Sequence, residues 1–137
     1  MRYWLVKHDK ESIKSRPGSI WREIEGCSRV PPNYRQVKIG DQFILYAYKT
    51  SEHMDSEPCQ EIYGFYEVTR EFEEEDLEEG RHWTIKGNPL PEHKQGWVPI
   101  QDLTQFFEKK KFNQQAVIEL TRVEFERFLR RHEESLP

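Results

Sequence analysis

The sequence predicts a single α+β domain over residues 1–137, built on a small barrel-like sheet with short helices and a C-terminal helix packed on it. Three observations lead to this prediction. Short runs of aromatic and β-branched residues recur between turn signals, which indicates strands. Amphipathic helical spacing is clearest at the end of the chain. A chain of 137 residues is also long enough to bury a core of its own as one domain.

The first half of the chain contains two predicted strands. An aromatic and aliphatic run at residues 3–6 predicts the first. The polar segment KHDKESIKS predicts a short helix that begins near Asp9 and ends before Pro17, and PPNY predicts a further loop or short helix. Gly40 and Asp41 form a turn pair. The run at residues 42–48 that follows is apolar on both faces, which is typical of a strand buried on both sides or lining a barrel.

Three further strands are predicted in the second half. EIYGFYEVT is the first, and Gly64 in its middle indicates a bulge, a bend or a close approach by another group. HWTIKGNPL and GWVPIQDL are the other two, and Trp97, within the latter, is expected to be core. The acidic segment REFEEEDLEEGR, between the first and the second of these three strands, is expected to be a solvated loop or helix.

The final helix carries the clearest start signal. Thr121 is followed three residues later by Glu124, which is a capping box. Phe125, Phe128 and Leu129 are spaced to share one face of the helix, which predicts that this face packs on the sheet. We expect the helix to continue to about Arg131.

Composition excludes several classes of protein. No long apolar run is present, and the apolar core of the N-terminal segment is too short for a signal peptide, so we expect a soluble, cytoplasmic protein. Cys27 and Cys59 form no metal-binding or redox pair and are expected to be reduced thiols. The five histidines show no catalytic spacing, so we expect a binding domain without a metal or cofactor rather than an enzyme.

Charge is distributed unevenly along the chain. The net charge is +5 over residues 1–50, −10 over residues 51–102 and +1 over the remainder, which gives −4 in total. A basic first third in an acidic protein fits local contact with phosphate, although much of it could equally be solvated surface. The residues expected to contact phosphates are Lys10, Lys14, Arg16, Arg22, Arg29, Arg35 and Lys38.

The order of the motifs resembles a known family. YWLVK, SIW, VKIGDQFILYAY, GFYEVT, GWVPIQDL and VIELTRVEFERFL follow one another as in EVE domains, which are relatives of YTH domains in the PUA-like superfamily. The resemblance covers nearly the whole chain. It implies a curved, mixed β-barrel with helices packed on it, which binds DNA or RNA carrying a methylated or hydroxymethylated base. The base would be flipped into an aromatic pocket.

The resemblance also implies which residues form that pocket. Trp21 corresponds by position to one wall of the YTH cage, although a tryptophan just past the Pro17-Gly18 turn could also belong to the core. Trp83 is the second candidate wall. The other candidate pocket residues are Tyr46, Tyr63, Phe65, Lys7, His8 and Asp9, and Asp9 has an alternative role as a helix N-cap.

Two features depart from YTH domains. Arg22 follows Trp21 in place of a small hydroxyl residue, and no Asn follows the first strand, so the sequence does not point to adenine as the base. We expect a monomeric reader whose partners are nucleic acid and an associated nuclease or restriction component. The alternatives are a PUA-like module for unmodified structured RNA, an ASCH-like RNA-processing enzyme and a protein-binding domain.

Overall fold

The computed structural model describes residues 1–24, 33–51, 53–77, 80–100 and 117–136, and of residues 19–24, 74–77 and 80–83 it describes the backbone. The elements are β1 (Tyr3–Asp9), α1 (Lys10–Ser15), β2 (Ser19–Ile24), a 3₁₀ helix (Tyr34–Gln36), β3 (Gln42–Lys49), β4 (Pro58–Leu77), β5 (Gly80–Pro89), β6 (Val98–Pro99), β7 (Val117–Leu120) and α2 (Arg122–Ser135). The predicted α+β class, with strands first and a helix at the end, is confirmed.

The strands form one mixed sheet. Its order is β2-β5-β4-β3-β1-β7, and β6 pairs with the start of β4. β1 and β3 run parallel, whereas the other pairs are antiparallel. Among the described residues, β2 and β7 do not pair with each other, so the sheet is open at these two edges. The central position of β1, β3 and β4 explains why their apolar runs are nearly continuous.

Each face of the sheet carries its own apolar cluster. Because successive strand residues point to opposite faces, Trp4 belongs to one cluster and Leu5 to the other. The first cluster is completed by residues from α1 and the 3₁₀ helix, and its members include Trp4, Val6, Ile13, Tyr34, Phe43, Leu45, Tyr66 and Ile85. The second cluster lies under α2, and its members include Leu5, Ile44, Tyr46, Ile62, Phe65, Ile118, Phe125 and Phe128.

Two helix starts behave as the sequence predicts. Asp9 is the N-cap of α1, and its side chain accepts a hydrogen bond from the backbone N–H of Ser12 at 2.8 Å. Thr121 and Glu124 form the reciprocal capping box at the start of α2, at 3.1 and 2.8 Å. The apolar face of α2 is buried at Phe125 and Phe128, while α2 itself ends at Ser135, four residues later than expected.

The acidic segment differs from its prediction. Residues 70–77 are not a loop or a helix but the second half of β4, which pairs with β5 through Glu73–Thr84 and Asp76–Arg81. The phenyl ring of Phe72 packs against the first cluster and anchors the strand, while Glu73 is exposed. The pairing supplies the backbone hydrogen bonds that local sequence cannot reveal. The β7 strand was also not predicted, and only Val98–Pro99 of GWVPIQDL forms a strand among the described residues.

The C-terminal part of α2 is tied to the loop between β5 and β6. His132 is fully buried, and its Nε2 lies 2.8 Å from the carbonyl oxygen of Gly96. His93 Nδ1 lies 2.5 Å from a carboxylate oxygen of Glu133. Burial lowers the pKa of His132, which favours the neutral form of the ring. None of the described helices is long and apolar enough to cross a membrane.

Candidate functional site

The last residues of β1 bring three predicted pocket residues to one corner of the sheet. His8 and Asp9 are buried there, and Lys7 is half-buried with its ammonium 5.6 Å from the centroid of the Tyr48 ring. His8 Nδ1 lies 2.8 Å from Asp9 Oδ1 and 2.9 Å from the Asp9 backbone nitrogen, and only one of these contacts can be a hydrogen bond in a given tautomer. Since Asp9 Oδ2 caps α1, both carboxylate oxygens already have neighbours within the protein.

Beside these residues lies an aromatic pair covered by a lysine, which we call the Trp97 platform. It consists of Trp97, Tyr63, Lys10 and Glu61. The rings of Tyr63 and Trp97 have centroids 4.8 Å apart and an interplanar angle of 51°. The Lys10 ammonium lies 4.8 Å from the Trp97 ring centroid and donates to Glu61 Oε2 at 2.7 Å, so a cation–π contact and an ion pair share one cation.

The thiol of Cys59 is close to the same charges. It donates to the carbonyl oxygen of Ala47 at 3.6 Å, and burial, followed by the negative charge of Glu61, raises its pKa. A thiol with a raised pKa is a poor nucleophile. Nor do His, Cys, Asp and Glu gather in groups of three that could hold a metal ion within the described part of the chain.

The predicted strand aromatics divide between core and surface. Tyr46 is fully buried in the second cluster, and burial raises the pKa of its phenol. Phe65 is also buried, with its ring centroid 5.5 Å from that of Phe125 and 5.3 Å from that of His132. Tyr63 is half-buried. Of these three rings, Tyr63 therefore has surface to offer a ligand, whereas Tyr46 and Phe65 are packed within the fold.

The two predicted pocket tryptophans lie on neighbouring strands. In the β2–β5 pairing, Trp21 is opposite Thr84 and Arg22 is opposite Trp83. Trp21 and Trp83 are thus offset by one position in the register, and because successive strand positions face opposite sides of the sheet, these two positions do not share a face as the predicted pocket requires. The side chains of Trp21, Arg22 and Trp83 lie outside the described parts of the structure.

The five predicted phosphate contacts whose side chains the structure describes fall into two groups at opposite ends of β1. Lys10, Lys14 and Arg16 belong to the α1 segment at its C-terminal end, and Lys14 and Arg16 are exposed. Arg35 and Lys38 lie near its N-terminal end, where both line a cleft of about 570 Å³. Seven strand residues separate the groups by roughly 20 Å. Arg29 lies outside the described residues.

Nearby acidic and aromatic side chains partly neutralise or hold the cations of that cleft. Lys38 Nζ lies 3.6 Å from Glu71, and the guanidinium of Arg35 lies 4.6 Å from the Phe72 ring centroid. Arg2 also lines the cleft and pairs with Glu119 at 3.7 Å. The two ion pairs are exposed and therefore contribute little stability, so an anion can recruit Lys38 and Arg2 at small cost.

Sequence reasoning missed four residues of these sites. Trp97 was expected to be core, yet it is half-buried under Lys10. Glu61 and Arg2 were not singled out, because their partners are distant in sequence and only the fold brings them together. Thr84 gave no signal at all, since a threonine in a strand is ordinary. What distinguishes Thr84 is its position opposite Trp21 in the pairing of β2 with β5.

Comparison with known proteins identifies the family. The model of the EVE domain matches residues 2–132. The chain belongs to the EVE domain family. No curated protein sequence matches this EVE domain.

Solved structures share its fold. Human THYN1, in complex with 5-methylcytosine containing DNA, is 14% identical with a TM-score of 0.58, and the match covers 100% of both chains. Protein Atu2648 from Agrobacterium tumefaciens is 20% identical with a TM-score of 0.60, over 100% of this chain and 97% of the other. A hypothetical protein from Leishmania major is 17% identical with a TM-score of 0.57, over 98% and 96%. At such identities the likeness shows the fold alone, and the EVE-type fold predicted from the order of the motifs is confirmed.

Proposed function

We propose that this EVE domain is a reader that binds nucleic acid and recognises a methylated or hydroxymethylated base flipped into an aromatic pocket. The observation that carries the proposal is the fold shared over the whole chain with human THYN1, whose structure contains 5-methylcytosine DNA. The family match over residues 2–132 supports it. In this proposal the protein is not an enzyme, because its task is to hold a base and not to change it.

Trp21 is the proposed aromatic wall of the pocket. The support is positional: Trp21 follows the Pro17-Gly18 turn in the order of the family's motifs, and it lies on β2 opposite Thr84 of β5. A flipped base loses its stacking in the helix and must regain it in the pocket. One aromatic face supplies about 1–3 kcal/mol per stacked base, which is enough to offset much of that loss.

The two basic groups would hold the backbone of the same nucleic acid. Phosphate contacts fix position and orientation without reading sequence. A separation of roughly 20 Å along β1 corresponds to about six base pairs of B-DNA measured along the helix axis, at 3.4 Å each. Lys14 and Arg16 at one end and Arg35 and Lys38 at the other would therefore contact well-separated phosphates, with β1 between them.

The test compares Trp21→Ala and Trp21→Phe with the parent protein. Binding is measured by fluorescence anisotropy to short oligonucleotides that carry 5-methylcytosine, 5-hydroxymethylcytosine or N6-methyladenine, each beside its unmodified control. We expect the parent to prefer a modified base, Trp21→Ala to lose that preference, and Trp21→Phe to keep part of it because a smaller ring remains. Val123→Ala is the control, since Val123 is exposed on α2, which packs on β1 and β7, while β2 with Trp21 lies at the opposite edge of the sheet.

Two results contradict the proposal. One is a folded Trp21→Ala variant that still distinguishes modified from unmodified DNA. The other is a parent protein that ignores modification but whose affinity falls steeply with salt, which is the behaviour of a module for unmodified RNA or DNA held by phosphates alone.

A further inference from the structure

The hydroxyl of Thr84 is buried and has no hydrogen-bond partner among the residues that the structure describes. Thr84 is 6% exposed, and its Oγ1 is shielded from solvent. A buried hydroxyl without a partner costs free energy, because its hydrogen bonds to water are lost and not replaced. Native proteins contain few such groups, and each one calls for a physical explanation.

The described surroundings of Thr84 do not supply that partner. Thr84 lies within β5, opposite Trp21 of β2 on one side and opposite Glu73 of β4 on the other. The carboxylate of Glu73 is exposed and pairs with Arg70. The next residue, Ile85, is fully buried in the first cluster, so the Thr84 side chain lies on the other face of the sheet.

We propose that the Thr84 hydroxyl is a specificity-determining group of the base pocket, which hydrogen-bonds the polar edge of the flipped nucleobase. This inference rests on the proposed function, since it needs a base beside Trp21. A hydroxyl can both donate and accept, so it suits the carbonyl and amino groups on the edge of a pyrimidine. The register with Trp21 places the ring that would stack on the base and the hydroxyl that would orient it on paired strand positions.

Such a hydrogen bond can discriminate between bases, whereas stacking cannot. Every base has a flat face, so an aromatic wall accepts all of them. A buried polar group accepts only a ligand that satisfies it, because a wrong edge leaves the group unpaired. The proposed contact also explains why the Thr84 hydroxyl lacks a partner, because the bound base would supply the missing hydrogen bond.

The test uses Thr84→Val, which keeps the branched shape and removes the hydroxyl, and Thr84→Ser, which keeps the hydroxyl and removes a methyl. Thermal melting and oligonucleotide affinity are measured for both. We expect Thr84→Val to melt at the same or a higher temperature than the parent, because it loses an unsatisfied group, and to bind the preferred modified oligonucleotide about 5- to 10-fold more weakly. Thr84→Ser should retain the affinity.

Two outcomes overturn the inference. If Thr84→Val melts at a lower temperature and binds as well as the parent, the hydroxyl serves the fold, for example through a buried water. If it changes neither property, the hydroxyl has no role in binding. Both outcomes are distinct from failure of the reader proposal: Trp21→Ala then still abolishes the preference for the modified base, and only the assignment of Thr84 is lost.

Discussion

Replacing Asp41 by alanine should destabilise the fold more than almost any other single loss of a polar side chain. Asp41 is 5% exposed, and its carboxylate accepts three hydrogen bonds. Oδ1 accepts from the backbone N–H of Arg2 at 2.9 Å, and Oδ2 accepts from the indole N–H of Trp4 and the backbone N–H of Lys38, both at 3.0 Å. One side chain thus fixes the start of β1, the largest core residue and the turn before β3.

The magnitude follows from these three bonds. Hydrogen bonds to a charged group contribute about 1.5–3 kcal/mol each, but they are not additive when one side chain makes them all. Alanine also leaves the fully buried Trp4 indole N–H without an acceptor. We therefore expect Asp41→Ala to lower the free energy of unfolding by about 3–5 kcal/mol. Asp41→Asn should lose about half of that, because its one remaining oxygen can still accept from two of the donors.

Urea unfolding followed by tryptophan fluorescence and circular dichroism measures the effect, with Asp55→Ala as the control. Asp55 is exposed, so its removal should change the free energy of unfolding by less than about 0.5 kcal/mol. If Asp41→Ala lowers the free energy of unfolding by less than about 1 kcal/mol, with an unchanged m-value, the three hydrogen bonds of the carboxylate do not stabilise the fold as their geometry indicates.

Two further effects should be measurable. Burial lowers the pKa of His132 below its ordinary 6.5, so the unfolded chain binds a proton there more readily than the folded chain. The free energy of unfolding should therefore be highest above pH 6.5 and should fall as the pH drops below it. In a pH series of urea titrations, His132→Gln should flatten this slope, and an unchanged slope would contradict the role assigned to His132. A Cβ on Gly87 would lie 2.5 Å from the buried ring of Phe43, so Gly87→Ala should lower the stability by about 1–3 kcal/mol in thermal melts. A Cβ on Gly64 would meet Gln95 Cγ at 3.1 Å and the Tyr66 side chain at 3.4 Å, so Gly64→Ala should lower the stability clearly less. Equal losses would refute the steric reasoning.

Signals that lie within a few residues of one another predicted the structure well. The Asp9 cap, the Thr121–Glu124 capping box and the Gly40-Asp41 turn all depend on neighbours three residues away or fewer, and each is present. Even here the sequence indicated only a turn at Asp41. Its role as an acceptor for Trp4 depends on a contact 37 residues distant, which no local pattern contains.

Features that depend on strand pairing could not be predicted. The acidic half of β4 has the composition of a solvated loop, and only its ladder with β5 makes it a strand. In the same way, the basic residues of the first third look like one patch in the sequence, yet Lys14 and Lys38 lie beyond opposite ends of β1. Trp97 was expected to be core because it sits in an apolar run, but its face is covered by Lys10 from a helix start 87 residues away.

Affinity and discrimination would come from different parts of this surface. The cations at the two ends of β1 would attract any nucleic acid, and a tryptophan wall would stack any base, so neither selects a modification. Full burial of one methyl group contributes only about 0.8 kcal/mol, which is less than a tenfold preference. A stronger preference therefore requires a buried polar group that one base edge satisfies and another does not. Among the described residues opposite Trp21, the hydroxyl of Thr84 has that property, and this is why its removal should weaken binding while sparing the fold.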